Sequence, residues 1–317
     1  MATGDVIGYL DSLSQFNVNP LWTVMEAAVP PQPTPKAVPH LWKFEGLRPK
    51  LIEAAKLIPA EQAERRVLML TNPALDGVYT SDTLYAGLQV INPGETARAH
   101  RHTAFALRFI IEGTQGFTAV EGEKITMARG DVILTPSWRW HDHGHEGGGP
   151  MIWLDGLDLP FFQAFPVNFA EGYKEPRYPS QPTDSTPMKM PWSPVQEALN
   201  KQGGTYARYT YPFNDLGLAR TLGAEAERIN ANTMSPQRQD SASYVFHVYQ
   251  GKGRTVLSQP SLQGSKPNET IEWKACDTFV IPSWASFRHE CDDSEDSFIF
   301  SFNDKPALQA LGMWRSV

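Results

Sequence analysis

The chain repeats itself, and that constrains its fold more than any other feature. IIEGTQG at 110–116 lies over VYQGKG at 248–253 with an offset of 138 positions, and GDVILTPSW at 130–138 lies over CDTFVIPSW at 276–284 with an offset of 146. Between those runs the second copy carries eight extra residues, around SLQGSKP at 261–267. One supersecondary unit is therefore used twice. In the first copy the unit reads LYAGLQVI, ALRFIIEG, FTAV, KITM, DVILTP and MIWLDGL, short β-prone runs separated by Gly and Pro. Strands of this length and number build sandwiches or barrels.

The organisation along the chain follows. Residues 1–80 form an arm, partly helical, with the Pro-rich run VPPQPTPKAVP at 29–39 and the helically spaced LRPKLIEAAKLI at 47–58. The first β module occupies 81–165, a connector with YPSQPTDSTP and SPVQEALNK occupies 166–228, and the second module occupies 229–317. A formal charge of −7 without any Lys/Arg run points away from nucleic acid and membrane surfaces and toward a small-molecule partner. The start MATGDVIGYL lacks a basic region followed by an apolar one, so the expected location is the cytoplasm. Cys276 and Cys291 are the two cysteines, read as reduced and structural.

The chemistry concentrates in HRHTAFALR and in GDVILTPSWRWHDHGHEGGGP. His100 and His102 are two apart, which on a strand puts both imidazoles on one face. If the strand runs on unbent, Ala104, Ala106 and Arg108 share that face while Phe105, Leu107, Phe109 and Ile111 face the core. A bend after His102 would reset this parity. A third imidazole is available from His141, His143 or His145, and two histidines on one strand plus one from a neighbouring hairpin leave coordination positions open, as a catalytic metal needs.

These residues resemble the two motifs of the cupin superfamily: Gly94, five residues, His100-Arg-His102; then Gly130, five residues, Pro136, four residues, His141. The run RHTAFALRFIIEGTQGFTAVEGEKITMARGDVILTPSWRWHDHGHEG, WLDGLD after it, and PALQALGMWR at the end look like the gentisate 1,2-dioxygenase and salicylate 1,2-dioxygenase family, over about Glu61 to Arg315. The resemblance implies a mainly β bicupin, two jelly-roll barrels behind a helical arm. It implies one Fe(II) per chain held by His100, His102 and His141, because the carboxylate many cupins supply after the paired histidines is missing. The implied reaction opens a small aromatic acid, gentisate or a 5-substituted salicylate, between its carboxyl- and hydroxyl-bearing carbons with O2. It further implies a homotetramer.

The same resemblance makes His143 an acid/base hydrogen bonding to substrate or oxygen, and Arg108 the fork that receives the substrate carboxylate. Tyr85, Gly87 and Gln89 alternate along LYAGLQVI and would line one pocket face, although an ordinary half-buried strand shows the same alternation. Asp155 either orients His143 or a nearby group, or caps a turn. Arg65 and Arg66 would close over an anionic substrate from the arm, or sit solvated on a helix end. His145 stands where the family pattern HDHGNEG has Asn and is read as structural. Trp138 and Trp140, on the face opposite His141, are read as packing.

The repeat tests the ligand set. His100 and His102 fall on Arg238 and Asp240, and His141 falls on Phe287, so no ligand is reproduced and one metal per chain is expected. Two competing functions use the same scaffold: a non-catalytic ligand-binding bicupin, and a metal-dependent isomerase or decarboxylase.

Overall fold

A computed structural model describes all residues except 1, 2, 64, 262, 263, 266–268 and 293. The chain divides into two units, residues 1–34 and 35–317. The first is helical, led by Thr3–Leu13, and leaves Val6, Ile7, Phe16 and Trp22 exposed. The second holds all the strands found among the described residues.

In chain order these are β1 (His40–Trp42), β2 (Arg66–Met69), β3 (Tyr85–Ile91), β4 (Thr96–His102), β5 (Ala106–Glu112), β6 (Gly116–Val120) and β7 (Glu123–Thr126). Then come β8 (Val132–Thr135), β9 (His141–His145), β10 (Met151–Leu157), β11 (Ala170–Gly172), β12 (Gln181–Pro182), β13 (Lys189–Met190) and β14 (Tyr206–Thr210). The rest are β15 (Gly223–Ile229), β16 (Tyr244–Gln250), β17 (Lys252–Ser258), β18 (Pro260–Ser261), β19 (Gly264–Ser265), β20 (Glu269–Lys274), β21 (Thr278–Ile281), β22 (Ser286–Cys291) and β23 (Ser297–Asn303).

The first module pairs the sheet β13-β8-β5-β10-β3-β2 with the sheet β11-β4-β9-β6-β7-β12. The second pairs β1-β21-β16-β23-β15-β14 with β20-β17-β22. This is the expected mainly β, two-barrel architecture. The repeated runs keep their backbone: Gly113 and Gly251 have φ of 103° and 92°, Gly130 and Cys276 have 87° and 72°, and Trp138 and Trp284 have 63° and 65°. A non-glycine residue with positive φ is uncommon, so three matched pairs mark true structural equivalence. The eight-residue insertion coincides with the β18–β19 hairpin, and the rest of SLQGSKP lies outside the described residues.

The repeat is longer than its sequence signature. Helices Phe44–Leu57 and Trp192–Lys201 precede β2–β3 and β14–β15, which occupy equivalent sheet positions. The expected boundaries at 80 and 228 therefore cut through barrels: β1 and β2 lie in the presumed arm, and β14 and β15 begin the second module before 229. Moreover β1 pairs with β21 of the second module while β13 pairs with β8 of the first, so each edge strand precedes the helix of the other barrel.

The large sheets of the two modules share a core. Leu107, Phe109 and Ile111 of β5 point into it, and the Phe109 ring stacks on Phe300 of β23 with centroids 4.3 Å apart. Ile110, on the opposite face of β5, packs inside the first barrel with Val120, Ile125, Met127 and Trp153. Because both faces of β5 are covered, the strand reads as continuously hydrophobic up to its terminal Glu112, interrupted within by Arg108 alone.

Candidate metal centre and active site

The paired histidines end β4, and their placement depends on a bulge. Ala97 stands opposite His143 and His100 opposite His141, so three steps along β4 match two along β9. The extra residue re-aims the end of the strand. After His102 the chain does bend, through 103–105, and crosses to the other sheet as β5. The face parity is thus reset at the bend, yet Ala104 and Arg108 still line the same cavity as His100 and His102. Ala106 is not among the residues lining it.

His100, His102 and His141 converge, with one nitrogen from each ring lying within 4.8 Å of the others. Their orientation has a common cause. Nδ1 of His100 meets Arg98 O at 3.1 Å, Nδ1 of His102 meets Ala104 O at 2.8 Å, and Nδ1 of His141 meets Arg139 O at 2.9 Å. A carbonyl only accepts, so each Nδ1 carries the proton and each Nε2 keeps a lone pair, which on His100 meets the Arg65 guanidinium. His141 Nε2 is buried without a hydrogen-bond partner. Burial, with the Arg65 cation beside it, drops the His100 pKa to about 2; burial drops that of His102 to about 4 and pushes His141 well down. Three neutral imidazoles with converging lone pairs fit a divalent transition metal.

Beside them lies a cavity of about 450 Å³ lined by His100, His102, Arg65, Tyr85, Gln89, Ala104, Arg108 and Asp155. Arg108 is 4% exposed and burial lowers its pKa to about 10. Its Nη1 donates to Thr135 Oγ1 at 2.6 Å, and its Nε lies 3.3 Å from Asp155 Oδ1 in an ion pair. Since Nε is buried and makes no hydrogen bond, that pairing is Coulombic. Asp155 also accepts from Trp153 Nε1 at 3.0 Å, and burial raises its pKa to about 6 against the pull of Arg108. Of the two roles expected for Asp155, the structure brings it to a nearby group, Arg108; the Nδ1 of His143 goes to Thr118 Oγ1 at 2.9 Å.

Other expected residues are placed less simply. The Arg65 guanidinium contacts the His100 ring inside the cavity. Arg66 does not enter it: neighbouring strand residues point to opposite faces, and Arg66 is buried on the other side, donating to Ala55 O and Ile58 O and pairing with Glu95. Gly87 does not open space for a ligand. A Cβ there would meet Val67 Cγ1 at 2.5 Å and the Tyr85 hydroxyl at 2.8 Å, so those side chains already fill the gap. His145 is structural as expected: Gly147 N–H donates to its Nδ1 at 3.2 Å and its Nε2 donates to Gly149 O at 2.7 Å, closing the Gly-rich turn. Trp138 and Trp140 pack as expected, with the Arg101 guanidinium 4.5 Å from each ring.

Sequence reasoning missed the rest of the wall. Val67, Met69 and Val78 come from the presumed arm, and Leu157, Leu159, Asn168 and Phe169 from the end of the first module and the presumed connector. Val67 and Met69 on β2 and Leu157 on β10 carry no chemical signal that separates them from core residues, and Val78, Leu159, Asn168 and Phe169 lie outside the strands.

The Cupin domain family pattern matches residues 87–157, the span from β3 to β10. Over 97% of its length the chain is 37% identical to gentisate 1,2 dioxygenase 1 of Aquipseudomonas alcaligenes, covering 94% of that protein. It is 29% identical to a 5-aminosalicylate 1,2-dioxygenase of Comamonas sp, over 96% of this chain and 88% of that one. Among solved structures, the salicylate 1,2-dioxygenase of Pseudoaminobacter salicylatoxidans in its adducts with gentisate superposes with a TM-score of 0.88 at 31% identity, covering 100% of this chain and 94% of that chain. Similarity of this extent, on a two-barrel fold with three converging histidines, places the chain in the gentisate and salicylate 1,2-dioxygenase family of aromatic ring-cleaving bicupin dioxygenases.

Proposed function

We propose that the protein opens a 2-hydroxybenzoate, gentisate or a 5-substituted salicylate, between its carboxyl- and hydroxyl-bearing carbons, using one Fe(II) per chain and O2. The observation that carries the reading is the set of three Nδ1–H groups tied to backbone carbonyls, which leaves an Nε2 lone pair on each of the three converging rings. When bound there, ferrous iron supplies open coordination positions and an electron path between substrate and oxygen.

The chain's own residues bind and orient. Arg108, held from behind by Asp155 and Thr135, meets the substrate carboxylate with a rigid planar fork. Arg65 adds a second cation on the cavity wall, suited to an anionic acid. Gln89 and Tyr85 offer an amide and a hydroxyl to ring substituents. Burial raises the Tyr85 pKa, so its hydroxyl stays protonated and donates. His143, fully buried with its ring centroid 5.8 Å from that of His141, is assigned the hydrogen bond to the substrate's ring oxygen.

Oxygen uptake by iron-loaded enzyme with a panel of gentisate, salicylate, 5-substituted salicylates and 1-hydroxy-2-naphthoate tests this. Uptake with at least one acid, its loss on iron chelation, and its loss in His100→Ala, His102→Ala and His141→Ala are expected. No uptake with any acid defeats the reading, and turnover under strict anaerobiosis replaces it with isomerase or decarboxylase chemistry. The apolar side chains exposed on residues 6–29 support self-association, with a homotetramer as the state to be sought by gel filtration.

A further inference from the structure

The two barrels contain one histidine in common. His143 on β9 stands opposite Thr118 on β6, and His289 on β22 stands opposite Thr255 on β17. Both pairs are hydrogen bonded through Nδ1, at 2.9 Å and 2.8 Å. Both Thr residues face an Ile across the next strand, Ile125 and Ile271, and two residues beyond each Ile comes the third partner of the hydroxyl. In the first barrel it is Met127; in the second it is Trp273.

This exchange reverses the polarity of the hydrogen-bond chain. Trp273 Nε1–H can only donate, and it donates to Thr255 Oγ1 at 3.0 Å. The Thr255 hydroxyl then gives its own proton to His289 Nδ1, which leaves the ring proton on Nε2 without a hydrogen bond but facing the Glu227 carboxylate at 4.0 Å, an offsetting charge with no counterpart as near to His143 among the described residues. Met127 has a thioether sulfur, which can only accept, 3.5 Å from Thr118 Oγ1. With the Thr118 proton directed at sulfur, Oγ1 accepts from His143 Nδ1–H. This arrangement makes two hydrogen bonds, whereas Thr118 donating to Nδ1 makes one and buries an unpaired Nε2–H. An orphaned buried N–H is the rarer and costlier defect. His143 Nε2 is indeed buried without a protein partner.

We propose that Thr118 and Met127 are positioning residues that fix His143 as its Nδ1–H tautomer, so that Nε2 meets the bound substrate as a hydrogen-bond acceptor. The inference rests on the dioxygenase reading for the identity of the partner, the ring hydroxyl of a 2-hydroxybenzoate. An Nε2–H tautomer would instead donate, and would select an already ionised or carbonyl oxygen. The residue that decides between these is Met127, which touches neither substrate nor metal ligand in the role assigned to it.

The test is the ring nitrogen pattern of His143 in zinc-loaded, full-length protein labelled with 15N-histidine, read by two-bond proton–nitrogen correlation and assigned with His143→Gln. His143 is expected with a protonated Nδ1 and an unprotonated Nε2, and His289 in the same spectrum with the opposite pattern. Met127→Leu, nearly isosteric, leaves the Thr118 hydroxyl with Nδ1 as its sole acceptor and moves His143 to the Nε2–H pattern. Iron-loaded Met127→Leu then loses about tenfold in kcat with iron content unchanged. Thr118→Val abolishes the preference and Thr118→Ser restores it. An Nε2–H pattern in the parent protein, or a His143 pattern that Met127→Leu leaves unmoved, overturns the proposal. The nitrogen pattern needs no turnover, so an enzyme that shows it but consumes no oxygen with any acid counts against the dioxygenase reading alone.

Discussion

Arg108 is asked to be buried, charged and unoccupied at once. Thr135 accepts from Nη1, and Asp155 lies beside Nε, which is buried and makes no hydrogen bond. Arg108→Lys keeps the charge but cannot offer two parallel donors or reach both partners. We expect it to raise KM for the aromatic acid on the order of tenfold to a hundredfold with iron content unchanged, a loss of about 1.4 to 2.8 kcal/mol in recognition. Steady-state oxygen uptake on the iron-loaded variant checks this; an unaltered KM would remove Arg108 from carboxylate binding. What could be read at this scale from the chain alone was what regular spacing encodes. His100, His102 and Arg108 were legible because strand alternation and motif spacing fix them relative to one another. The difference between Arg65 and Arg66 was not legible, since both follow a helical segment and the register of the three-dimensional pairing, Arg66 opposite Val90, decides which one faces the cavity. Gly87 misled for a related reason: an absent side chain signals close approach, but its own neighbours Tyr85 and Val67 make that approach rather than a ligand.

The element that holds the centre together is β9, whose five residues HDHGH are all buried. His141 and His143 face inward, and Asp142 on the other face accepts from Arg177 and from Tyr178 N. Gly144 lies against the Phe117 ring, where an added Cβ would come to 2.2 Å of Cζ. Gly144→Ala must therefore displace either the ring or the strand, at a cost of about 1 to 3 kcal/mol. Since the displaced strand carries His141, the same variant should bind iron more weakly, which metal titration followed by denaturant unfolding would separate. A variant with full stability and full iron affinity would show that β9 is more plastic than its packing implies. The strands around β9 were legible from β-prone runs between Gly and Pro. β1 and β13 were not, because strands of two or three residues carry no periodicity, and their exchange between barrels is a tertiary choice that no local pattern records.

At the scale of the molecule, the shared core between the barrels contains a histidine that never needs to charge. His247 of β16 is 1% exposed, lies 5.2 Å from the Phe109 ring, and burial takes its pKa to about 3, as it does that of His289. A depressed histidine pKa contributes stability above the unfolded value near 6.5, and that contribution is lost as pH falls toward 3. Between pH 7 and 5 each such group costs about 2 kcal/mol. Asp304, raised to about 7 by burial, acts in the opposite sense and favours the folded state as pH falls. Unfolding free energies at the two pH values should thus converge in His247→Gln and diverge in Asp304→Asn. The second barrel carries a further consequence of the repeat. Arg238, at the position of His100, pairs with Glu227 at 2.7 Å and Glu225 at 2.9 Å, so an internal guanidinium neutralises the two carboxylates at the corresponding centre. Both carboxylates are nearly enclosed, Glu225 at 7% and Glu227 at 1% side-chain exposure. Arg238→Met strands them and should cost about 3 to 5 kcal/mol, whereas the triple variant with Glu225→Gln and Glu227→Gln should recover most of that loss. Iron per folded chain and kcat should stay at their parent values in the triple variant, because the catalytic centre belongs to the other barrel. Loss of iron from that variant would mean that the two barrels are coupled through more than their common core, and the division of labour read from the repeat would have to be abandoned.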